Sequence, residues 1–109
     1  MPEEATVELD PNRTVNVSVQ ALPLAEAAIP MVDRAIQVIA ASGVHYEVGP
    51  METVMEGQLD ELLEIAKRAH LACFAAGASQ VVTFIKIGDR VGGTTMAEKV
   101  DPYRGGPDG

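Results

Sequence analysis

The chain of 109 residues carries 16 acidic against 8 basic side chains, a formal net charge of −8. It therefore lacks the clustered Lys and Arg that a nucleic-acid backbone demands, and we expect no nucleic-acid partner. With 47% hydrophobic and 22% charged residues it has the make-up of one globular domain, filled by Val, Ile, Leu, Ala and Met because Trp is absent.

Residues 1–12, with Glu3, Glu4, Glu8 and Asp10 ahead of Pro11, read as a mobile acidic leader. They have neither the basic start nor the apolar stretch of a signal peptide, and no apolar run approaches the ~20 residues that span a bilayer. Cys73 stands alone, so no disulfide forms within these residues, and we expect a cytoplasmic protein without a membrane partner. At the other end Gly105-Gly106-Pro107-Asp108-Gly109 reads as a flexible tail, leaving 13–104 as the single domain.

From Thr14 the residues alternate. Val15, Val17, Val19 and Ala21 point one way and Asn16, Ser18 and Gln20 the other, a strand with one face in the core, closed by Pro23. Val32, Ala35, Ile36 and Ile39 then fall on one helical stripe, with Pro30 in the first turn and Gly43 as a left-handed stop. Two short strands, Val44–Val48 and Glu52–Glu56, flank the turn dipeptide Gly49-Pro50. A second helix places Leu59, Leu62, Leu63, Ala66, Ala69, His70 and Cys73 on one face and ends at Gly77, with Asp60, Glu61 and Glu64 where the helix dipole favours acids. The last strand, Gln80–Ile87, is apolar on both faces, because Val82 and Phe84 oppose Val81, Ile85 and Ile87. Such a strand is buried on both sides, and another copy of the chain is the economical cover.

The order strand, helix, strand, strand, helix, strand predicts an α+β ferredoxin-like βαββαβ sandwich, a four-stranded antiparallel sheet with two helices on one face. A swapped or ACT-like variant shares that order. After the glycines at 92 and 93, Met96, Val100 and Tyr103 suggest a short helical turn, which we expect to pack on a neighbouring subunit in preference to its own sheet.

Few residues carry an independent chemical signal. His70 and Cys73 lie at i and i+3, but on the core-facing stripe and without a second ligand pair, so they are read as structural, with no metal and no catalytic role. Gly88-Asp89-Arg90-Val91-Gly92-Gly93 lacks the Gly-Lys-Ser/Thr ending of a phosphate loop and is read as a turn that redirects the chain. Glu56 is expected to accept from the unpaired N–H groups of the second helix or, at the same place, from a donor-rich ligand. Ser18, Glu47, Thr53 and Thr83 are polar strand side chains that gain meaning only where their face is covered, because a buried polar group must be paired.

The run Tyr46-Glu47-Val48-Gly49-Pro50-Met51-Glu52-Thr53-Val54-Met55-Glu56-Gly57 resembles the central signature of the thiamine-binding, YkoF-like family, with Thr53-x-x-Glu56-Gly57 as its most specific part. The segment from Gly92 through Thr95, Glu98-Lys99-Val100 and Tyr103-Arg104 is similar to family members too, so the resemblance runs from about Val15 to Arg104. It implies the ferredoxin-like fold, sheet-mediated dimers often paired into tetramers, and non-catalytic cytoplasmic binding of thiamine or its hydroxymethylpyrimidine moiety, without a cofactor. Tyr46, Glu47, Thr53, Glu56 and Gly57 are the matching motif positions, and Ser18 corresponds to a polar strand position. Some relatives carry two tandem domains, whereas this chain carries one copy. The expected ligand contacts are Ser18, Glu47, Thr53, Glu56 and Thr83. The alternative is an interaction module whose oligomeric assembly is itself the function.

Overall fold

In a computed structural model, residues 8–103 are described. The acidic leader up to residue 7 and the tail 105–109 lie outside them. Strand β1 (Val15–Pro23) shows the expected alternation, with Val15 and Val17 fully buried and Val19 nearly so. Its helix α1 (Ala28–Ala41) accommodates Pro30 in the first turn, where the missing N–H has no intrahelical partner to lose. The helix runs out at Gly43, whose φ of +88° is open to glycine at no steric cost. Its buried stripe is Met31, Ala35 and Ile39, turned slightly from the expected one, so that Val32 and Ile36 line a cleft instead.

Strands β2 (His45–Val48) and β3 (Thr53–Gly57) form the expected hairpin, closed by the Gly49 N–H donating to the Glu52 carbonyl at 2.8 Å. Helix α2 (Leu59–Ala75) buries Leu62, Ile65, Ala66, Ala69 and Cys73, and opens with Asp60 and Glu61 as the dipole favours. Strand β4 (Val81–Gly88) completes the sheet. The order is β2-β3-β1-β4 with every neighbouring pair antiparallel, and α1 and α2 bury their stripes against one sheet face around Val17, Ile39, Met55 and Leu62. This is the predicted α+β sandwich. Among the described residues no helix is long and apolar enough to cross a membrane.

One expectation changes. Helix α3 (Met96–Val100), followed by a 3-10 turn (Asp101–Tyr103), packs on the protein's own sheet, where Met96 is buried, and not on the neighbouring subunit that the sequence favours of the two. The loop that delivers it is tightly held. Arg13 pairs with Asp89, Gly93 turns at φ +87°, and the Thr94 N–H donates to the Thr14 carbonyl at 2.8 Å. Thr95 and Glu98 then close a reciprocal capping box that starts the helix.

Strand β4 has apolar side chains on both faces, as its sequence indicates. It is an edge strand, and within one chain both its faces stay exposed: Val82 and Phe84 on the open side, Ile85 and Ile87 on the helix side.

Candidate functional site

The strand register sorts the polar side chains onto two faces. Val17, Val19 and Met55 face the helices, so the intervening residues face away from them. One row on that open face crosses the whole sheet: Glu47, Val54, Ser18 and Lys86 are successive cross-strand partners. The adjacent row is His45, Glu56, Asn16 and Gly88. Helix α3 roofs part of these rows with Met96, Lys99 and Val100, bounding a cavity of about 360 Å³ that stays open to solvent. Past Glu47, Glu52, Val54 and Lys86 it continues as an open groove under Gly49-Pro50-Met51.

Roofing by α3 buries polar groups on a face that an unroofed sheet would leave wet. Asn16 and Ser18 are only 5% and 7% exposed. The Asn16 amide nitrogen makes a long contact of 3.5 Å with the Thr94 carbonyl, while Asn16 Oδ1 and Ser18 Oγ have no hydrogen-bond partner among the described residues. A buried polar atom left unpaired costs about 1–3 kcal/mol, so two of them on neighbouring residues that line the cavity point to a ligand or bound water that would pair them.

Glu56 does not serve α2 as expected. Its Oε1 accepts from the Met96 N–H at 2.5 Å, the first residue of α3, and so ties the roof to β3. Lys86 is paired with Glu52 at 3.1 Å. Glu47 lines both the cavity and the groove.

Thr53 and Thr83 stand on the opposite side of the sheet. Thr53 is buried toward the helices and lines a separate cleft of about 260 Å³ between α1 and the β2–β3 turn. Thr83, opposite Ala21, lies 2.6 Å from His70 Nδ1 on α2, and the His70 ring meets Phe74 edge-on. Of the five expected contacts the fold therefore groups Ser18, Glu47 and Glu56, and separates Thr53 and Thr83 from them by the thickness of the sheet.

Asn16 was not singled out from sequence. Alternation placed it on the polar face, but its burial depends on a helix some eighty residues later. Cys73 is fully buried, and burial pushes its thiol up from the ordinary value, which disfavours the reactive thiolate. No cluster of three or more His, Cys, Asp or Glu among the described residues has the arrangement of a metal site.

Residues 17–104 match the family model described as thiamine-binding protein, a span that takes in both the sheet and its α3 roof. The chain belongs to this family. Among its relatives, a UPF0045 protein of Clostridium perfringens is 48% identical over 93 residues, 84% of this chain and 98% of that protein. The UPF0045 protein YqgV of Bacillus subtilis is 32% identical over 72% of this chain and 78% of its own length. A Bacillus cereus domain of unknown function superposes with a TM-score of 0.82 at 48% identity, covering 85% of this chain and 92% of that one. A Thermotoga maritima protein described as a candidate thiamine biosynthesis/salvage protein gives a TM-score of 0.78 at 34% identity, over 84% and 99% of the two chains.

Proposed function

We propose that this protein binds thiamine or its hydroxymethylpyrimidine precursor, without transforming it, in the cavity between the open sheet face and α3. The observation that carries the proposal is that Asn16 and Ser18, two residues lining that cavity, hold the buried, unpartnered atoms Asn16 Oδ1 and Ser18 Oγ, in a member of the thiamine-binding family. An aminopyrimidine offers an exocyclic amine to an acceptor such as Asn16 Oδ1 and ring nitrogens to a hydroxyl such as Ser18. Val54, Met96 and Val100 supply apolar surface for the ring, and Glu47 supplies a carboxylate for a cationic or donor-rich group. Glu56 acts indirectly, by holding α3 in place. Thr53 and Thr83 are assigned no contact in this cavity.

Isothermal titration of the folded protein with thiamine and, separately, with hydroxymethylpyrimidine tests the assignment. Micromolar or tighter affinity, about −8 kcal/mol or better, is the expected result for at least one of them. Silence with both, from protein shown to be folded, would remove the ligand.

We further propose a cytoplasmic homo-oligomer, a dimer of dimers, on the strength of the family resemblance and of the apolar side chains that β4 leaves exposed. That exposure also favours the second reading, an interaction module. An assembled protein that binds neither compound would favour it over the first.

A further inference from the structure

The cavity is electrically sorted from one end to the other. Glu47 and Glu52 line it on the β2–β3 side, and Lys99 lines it at the α3 end. Lys86 is neutralised by Glu52, and the Glu56 carboxylate is turned to the Met96 N–H. Lys99 makes no salt bridge with any described residue. Its ammonium lies down over Gly88 so closely that a methyl group at position 88 would come within 2.7 Å of Nζ. Gly88 pairs directly with Asn16, so the unpaired ammonium sits beside the strand position that carries one of the orphaned polar atoms.

From this arrangement we propose that the cavity selects a phosphorylated form of its ligand. The anionic ester lodges at the Gly88–Lys99 end and the heterocycle extends toward Glu47. The proposal rests on the thiamine reading and adds to it the charge state that is recognised. A net charge of −8 repels anions at long range. At physiological salt that repulsion is screened beyond about 8 Å, so the local ammonium decides. Lysine suits the task as a compact point charge with three donors.

Titration of the intact protein with four compounds tests it: thiamine, thiamine monophosphate, hydroxymethylpyrimidine and its phosphate ester. The readout is the ratio of affinities between ester and parent alcohol. In the unaltered protein the ester should bind at least about 10-fold tighter, the scale of one added charge-assisted hydrogen bond. Lys99→Met should bring the ratio close to one. Gly88→Ala should do the same by a different route, because its backbone lies outside the left-handed region and the new methyl displaces only the flexible end of Lys99. Thermal unfolding establishes that each variant is folded. Equal affinities in the unaltered protein, tighter binding of the alcohols, or a ratio that survives both substitutions would overturn the selectivity and leave the thiamine assignment standing. Silence with all four overturns both.

Discussion

Ser18 carries a hydroxyl into a position where no described residue pairs it, and Asn16 does the same with its amide oxygen. Side chains placed for folding alone are not normally left this way, because the unpaired group costs stability. Ser18→Ala should therefore leave the urea midpoint unchanged or raise stability by up to about 1 kcal/mol, while weakening ligand binding about 10-fold. A loss of stability with unaltered binding would make Ser18 structural. The Arg13–Asp89 pair, with two contacts of 2.8 and 2.5 Å, anchors the loop before α3 from the other direction. The Arg13 guanidinium holds the Asp89 carboxyl below its ordinary value of 3.8. A lowered folded-state value means that the contribution is present above that range and is lost as pH falls through it. The gap in urea midpoint between the unaltered protein and Asp89→Asn should thus be open at pH 6 and close as the solution is acidified below 3.8. Because the pair is near the surface, added salt should narrow the gap at pH 6 as well.

At the scale of elements, the short helix α3 determines whether the sheet has a cavity. Five residues cannot hold a helix in water on local bonds alone. The Thr95–Glu98 capping box, burial of Met96 and the carboxylate of Glu56 must hold it. Glu56→Ala should cost about 1–2 kcal/mol, speed amide exchange through Met96–Val100 and loosen ligand binding. Glu56→Gln, which keeps an acceptor in the same place, should restore much of both. If α3 amides exchange equally in all three proteins, Glu56 does not hold the roof. The same helix explains why Asn16 and Ser18 share a burial that alternation alone assigns to Val15, Val17 and Val19.

For the whole molecule, the outstanding feature is an apolar edge. Phe84 is 55% exposed and Ile87 50%, on opposite faces of a strand with one unpaired side. A long apolar edge strand left open invites association. Phe84→Glu should leave the fold of the single chain intact, with stability changed by no more than about 0.5 kcal/mol, and should lower the mass measured by light scattering. A monomeric unaltered protein at micromolar concentration would refute the proposed assembly.

The secondary structure was readable from residues close together in the chain. Period-two alternation in β1, the helical stripe of α2 and the glycines at 43 and 77 are local properties, and each element formed within a residue or two of its expected bounds. The resemblance around Thr53-x-x-Glu56-Gly57 likewise depended only on the order of residues, and the family match agrees with it. The candidate site was not readable in this way. Alternation puts Ser18 and Glu56 on one face and Thr53 on the other, but these side chains were grouped from sequence by polarity, without the register. The course of α3 back over its own sheet depends on contacts between residues far apart, Thr14 with Thr94 and Glu56 with Met96. Local sequence pattern determines which way a strand residue points. Only the tertiary fold decides what covers it, and here that cover turns an ordinary polar strand face into a cavity with two unpaired atoms.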